Sequence, residues 1–212
     1  MPVVTKRLIV PCKVLGTAVL PAVMLLTGDL LAADKDAPFK AGHADSYPAR
    51  QTNEKITVAV KAFDTEDLAH SAFGKLNPNQ YGVLPVLVVI RNGRDQAVRL
   101  EKLRLEYVTE ARDRIEPTPA ADLPYLSGPD RPRPVYGPVP TGAPRVKRRK
   151  SPLSNPVLEV RAFSARMLAP GDEASGFFYF QTAHRKRSQA YVTGLREATS
   201  GKEIFYFEVP FE

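Results

Sequence analysis

Catalysis needs nucleophiles, titratable pairs or metal ligands at usable spacing, and this chain of 212 residues carries few of them. Its three histidines are His43, His70 and His184, and none belongs to a His-Glu-x-x-His zinc pair. Glu66 and His70 stand four apart, which on a helix makes an exposed same-face pair. Asp64, Glu66 and Asp67 offer oxygens of the kind that ligate calcium. The simpler reading is that these carboxylates open a helix, where free N–H groups and the helix dipole favour them. The single cysteine, Cys12, excludes an internal disulfide and any zinc site built on several thiolates. There is no Gly-x-Ser-x-Gly elbow. Gly194 to Gly201-Lys202 is a poor phosphate loop: six residues separate the glycines where four are needed, and Glu203 follows the lysine. It reads as a β-turn. No pair of acids is singled out for glycoside chemistry, which depends on a separation in space. The residues therefore predict no catalytic set, no metal and no cofactor. What remains is two basic clusters. Lys147, Arg148, Arg149 and Lys150 form one; Arg185, Lys186 and Arg187, beside His184, form the other. Together they are the candidate binding surface.

The clusters gain meaning from where the charge lies. The formal net charge is +7 and the isoelectric point is near 9.5. Residues 117–156 hold seven basic residues against Asp122 and Asp130, and the rest of the chain beyond residue 33 balances to neutral. The same stretch holds eleven of the twenty prolines. Proline fixes φ and lacks a backbone donor, so neither a helix nor a central strand is expected to run through it. Residues 117–156 read as a long Pro-rich basic insertion, extended or irregular. Tyr125 and Tyr136 within it could anchor a protein partner.

The N-terminus reads as an address. Lys6, Arg7 and Lys13 precede an uncharged apolar stretch from Val14 to Leu26, and the small residues Ala32 and Ala33 precede Asp34-Lys35-Asp36. That order is the plan of a secretory signal peptide, cleaved near Ala32-Ala33. The stretch is shorter than the roughly 20 residues of a membrane span. Cys12 lies before the apolar stretch and follows Pro11, unlike a lipid-attachment cysteine. Residues 1–33 are thus expected to be a signal, 34–54 a linker, 55–116 and 157–212 the two halves of one domain.

Those halves read as β-structure. Ile56, Val58 and Val60 alternate with less apolar neighbours, the mark of a half-buried strand. Val86 to Ile90 is a continuous apolar run, expected of a strand buried on both faces. Asn92-Gly93 then predicts a hairpin turn into Gln96–Leu100. Leu103, Leu105 and Tyr107 alternate out of phase with Val98 and Leu100, which predicts a bulge near Glu101-Lys102. Val157–Phe163, Phe177–Phe180, Tyr191–Arg196 and Ile204–Val209 complete about seven strands, with turns at Pro170-Gly171 and Ser200-Gly201. One short helix is expected, capped by Asp64, ended by Gly74, and facing the sheet with Leu68, Ala72 and Phe73. The fold class is all-β: an Ig-like antiparallel β-sandwich with one short helix and the basic insertion.

The run Phe73-Gly74, then Gly82–Asn92, then Val98-Arg99-Leu100, together with Leu168-Ala169-Pro170-Gly171 leading into Gly176–Phe180, resembles a group of small uncharacterised exported bacterial proteins. These are Ig-like β-sandwiches with a signal peptide or lipid anchor. The likeness spans about residues 55–110 and 157–211 and falls on turns and core strands. It implies the fold and an exported protein, and it brings no catalytic residues or activity.

The expected function is that of an exported, non-catalytic binding or accessory module of the bacterial cell envelope. It would contact a protein partner through a strand edge or the insertion. The alternative is binding to an anionic envelope polymer or, peripherally, to a membrane surface through the two basic clusters. Export argues against a nucleic-acid partner. A hydrolase with an unrecognised site is the third reading.

Overall fold

The structure is a computed structural model that describes residues 39–126 and 151–211. Residues 1–33, expected to be a signal, and the cluster Lys147–Lys150 lie outside the described residues.

Alternating and continuous apolar runs become strands that share a core. In chain order these are β1 (Arg50–Asn53), β2 (Ile56–Ala62), helix α1 (Glu66–Phe73), β3 (Leu84–Asn92), β4 (Val98–Arg99), β5 (Arg104–Val108) and β6 (Arg114–Ile115). After them come helix α2 (Pro156–Arg161), β7 (Met167–Leu168), β8 (Glu173–Phe180), β9 (Gln189–Thr193), β10 (Arg196–Glu197) and β11 (Phe207–Pro210). All the pairings between these strands are antiparallel. The sheet orders are β1-β2-β3-β8, β11-β9-β5-β6 and a small β10-β4-β7. The chain is an all-β sandwich. The order β2-β3-β8 against β11-β9-β5-β6 corresponds to strands A-B-E against G-F-C-C′ of an immunoglobulin domain, with β1 added outside.

Between the two larger sheets lies an inner core that includes Val58, Val60, Val86, Val88, Leu105, Tyr107, Val192 and Phe207. A second core covers the other face of the β1-β2-β3-β8 sheet. Ala59, Leu87, Val89, Phe177 and Tyr179 pack there against Phe73 of α1, Leu158 of α2, and Leu123 and Leu153 of two 3-10 turns. This second layer is why Val86 to Ile90 is apolar without a break: odd and even positions of β3 feed different cores.

Several expectations need correction. Asn92-Gly93 is not a hairpin, because β3 pairs with β2 and β8 while β4 pairs with β10 and β7. Asn92 is instead a fully buried corner staple. Its Nδ2 lies 2.9 Å from the Gln96 carbonyl, 3.2 Å from Leu168 and 3.0 Å from Ala169, and its Oδ1 accepts the Arg94 N–H at 3.1 Å. The phase change after Leu100 is a change of sheet, not a bulge; Leu103 N–H closes a turn on the Leu100 carbonyl at 3.0 Å. Val157–Phe163 is largely helix α2, started by Pro156 and by Asn155 Oδ1, which accepts the Val157 N–H at 3.1 Å. Thr65 rather than Asp64 caps α1, and Ala69 is buried with Ala72 and Phe73. Residues 39–53 belong to the fold rather than to a linker, since they include buried Ala44 and strand β1. The insertion also begins inside the domain: the 3-10 turns Ala120–Tyr125 and Pro152–Ser154 bury Leu123 and Leu153.

Candidate functional site

Of the candidate binding residues, Arg185, Lys186 and Arg187 sit exposed on the loop between β8 and β9. The loop is held from beneath. Tyr107, buried in β5, accepts the Arg185 N–H on its hydroxyl at 2.8 Å and lies 3.3 Å from His184 Nδ1. The Ser188 hydroxyl donates to the Arg185 carbonyl at 2.6 Å. Arg187 takes a left-handed backbone, φ 58°, and pairs with Glu110 at 2.6 Å. A small cavity of about 320 Å³ lies beside His184, lined also by Tyr47, Lys61, Asp64 and Phe211. Lys147, Arg148, Arg149 and Lys150 lie outside the described residues. Glu66 and His70 are an exposed pair at 3.8 Å. Gly201 is a turn residue with φ 69°, between the bridged Arg196 and Glu203.

A larger feature went unread in the sequence. A groove of about 630 Å³ runs over the outer face of the first sheet, between α2, the start of β8 and the segment Phe39–His43. Its floor is Leu87, Val89 and Phe177. Three anchors shape it. The Tyr179 hydroxyl donates to the Leu158 carbonyl at 2.7 Å and ties α2 to the sheet. Burial pushes that phenol well above its ordinary value, so it stays a neutral donor. Glu173 takes the Ala44 N–H and meets His43 Nδ1 at 2.9 Å, which pins the N-terminal segment, and Asp45 pairs with Arg91. Finally, Phe163 crosses the β8 edge so closely that a Cβ on Gly176 would stand 2.4 Å from its Cα. Only glycine fits that crossing.

At the groove mouth Arg161 lies over the Phe39 ring, 5.2 Å from its centroid. Among the described residues it has no carboxylate partner. Burial holds its guanidinium below the ordinary value, with Tyr179 opposing that shift, and it remains a cation at neutral pH. Lys40 lines the groove beside it, and Val160 of α2 is 82% exposed. The groove borders the first part of β8, from Glu173 to Phe177, and the basic loop follows the other end of the strand at Phe180. The signal that could have revealed the groove was Asn155-Pro156, a cap followed by a first-turn proline.

Among the described residues, no helix is long and apolar enough to cross a membrane, and no group of three or more His, Cys, Asp or Glu could hold a metal. No family model matches the chain. No curated protein matches it. A solved structure, "X-ray structure of Northeast Structural Genomics Consortium target SoR45", is similar at 16% identity over 74% of this chain and 84% of that chain, with a TM-score of 0.32. A likeness of that size bears on neither fold nor function.

Proposed function

We propose that the protein is an exported accessory module of the bacterial cell envelope that works by holding a protein partner, without catalysis of its own. Export rests on the signal-like order of Lys6, Arg7 and Lys13, the apolar stretch and Ala32-Ala33. Binding rests on one observation above all: the open groove over the outer sheet face, with an apolar floor and, at its mouth, Arg161 stacked on Phe39 and without a carboxylate partner among the described residues. Clefts of this size, mostly apolar with a few placed polar groups, are where proteins receive ligands.

The experiment is capture from envelope fractions of the native host with the tagged full-length chain, at low and high salt. A defined protein retained at both salt concentrations supports this reading. Retention lost at high salt, with anionic polymer or vesicles in place of a protein, supports the second reading instead. In that reading Arg185, Lys186 and Arg187, with Lys147, Arg148, Arg149 and Lys150, contact a polyanion or a membrane surface. The observation favouring it is the Tyr107-braced loop, which presents Arg185 and Lys186 with no acidic partner among the described residues.

A further inference from the structure

We propose that the groove receives an extended peptide bearing a carboxylate, added as a strand beside Glu173 and Ser175 of β8 and paired by its charge with Arg161. This deepens the protein-contact reading and rests on it.

The first argument is the strand edge. In an antiparallel ladder, alternate residues of an edge strand turn their N–H and C=O away from the neighbour. On β8 the outward positions are identified by two bonds. The Phe177 carbonyl accepts the Phe163 N–H at 3.1 Å, and the Tyr179 carbonyl accepts the Thr118 N–H at 2.7 Å. The period of two then turns the backbones of Ser175 and Glu173 outward as well. No hydrogen bond within the described residues engages those backbone groups, and Ser175 is exposed. The edge is thus closed over one half and open over the other, and the open half borders the groove. A peptide backbone is the ligand whose donors and acceptors repeat at that spacing.

The second argument is charge. Glu173, the acid in the groove, is already engaged by the Ala44 N–H and by His43. Among the described residues the unmet charge is therefore positive: Arg161 on Phe39, with Lys40 also lining the groove. A guanidinium partly removed from water, and fixed on a ring, binds a carboxylate better than a free surface arginine does. The third is the floor of Leu87, Val89 and Phe177, which can take the side chains that alternate inward from a strand.

The test uses the full-length chain and pooled fluorescent hexapeptides that alternate valine and threonine and end in acidic, neutral or basic residues. Fluorescence anisotropy is expected to show the acidic pool bound about tenfold more tightly than the basic pool. Ser175→Pro removes an outward N–H and leaves the β3 ladder bonds, which are made by the alternate residues, in place; it is expected to weaken the acidic pool about tenfold with the melting temperature nearly unchanged. Arg161→Gln is expected to erase the preference for acid. Val160→Glu, on an exposed position that cannot disturb the core, is expected to repel the acidic pool. Equal binding of all three pools by the wild type would overturn the proposal. So would acidic binding that survives Ser175→Pro and is displaced by laurate, which would assign the groove to an anionic amphiphile. A partner captured from the envelope whose retention survives both Ser175→Pro and Arg161→Gln would leave the protein-contact reading standing and remove the groove from it.

Discussion

At the scale of single residues, the corners of this sandwich depend on polar side chains with no freedom left. Asn92 is wholly buried at the end of β3, and its amide ties the β3–β4 loop, through Gln96 and Arg94, to the β7–β8 turn at Leu168 and Ala169. Asn92→Ala leaves buried carbonyls without donors and is expected to cost about 1–3 kcal/mol, seen as a lower urea midpoint. Asn92→Asp is expected to be worse, since it turns a second oxygen toward those carbonyls. A charged counterpart lies nearby. Arg94 bridges Glu54 and Glu197, each at 2.7 Å. The Ser200 hydroxyl, and then Arg94, hold the Glu197 carboxyl below its ordinary value of 4.5. A carboxylate whose folded pKa is depressed stabilises above its unfolded value and loses that contribution as pH falls through the folded one. The melting temperature of the wild type should therefore exceed that of Glu197→Gln at pH 7, and the gap should close as the pH is lowered below about 4.5.

At the scale of elements, α2 shows how local chemistry and tertiary packing divide the work. Asn155 and Pro156 start the helix, but six residues cannot hold a helix in water. Leu158, buried against the sheet, and the Tyr179 hydroxyl bond to its carbonyl supply the rest. Tyr179→Phe is expected to destabilise by about 1–2 kcal/mol at neutral pH, because the Leu158 carbonyl stays buried without a donor. The difference narrows in alkali. Burial raises the phenol above its ordinary 10.0, so the unfolded chain releases a proton that the folded chain keeps. Wild-type stability should fall as pH rises past about 10, and Tyr179→Phe should lack that part of the decline; urea midpoints from pH 8 to 11 measure both. Hydrophobic pattern alone misreads Val157–Phe163 as a strand, because a short buried apolar segment has no period that separates helix from strand.

At the scale of the whole molecule, one sheet is shared by two cores, and the second core is built partly from the roots of the Pro-rich stretch. Leu123 and Leu153, on either side of it, are both buried on the outer face. Deleting residues 120–152 removes Ala120–Tyr125 with Leu123 and is expected to cost about 2–5 kcal/mol, measured as a fall in melting temperature. The all-β class, the doubly buried run Val86–Ile90, the helix ended by Gly74 and the exposed cluster Arg185–Arg187 are legible in the residues alone. These follow from period, turn chemistry and charge, all written within a few neighbouring residues. That Asn92 is a corner rather than a hairpin, that residues 39–53 join the fold, and that Phe39, Arg161 and Ser175 meet around one groove emerge only when the chain is packed. Phe39 stands more than a hundred residues before Arg161 and Ser175, and what joins them is the packing of a helix and a strand edge on a shared sheet, a long-range arrangement that no local pattern encodes.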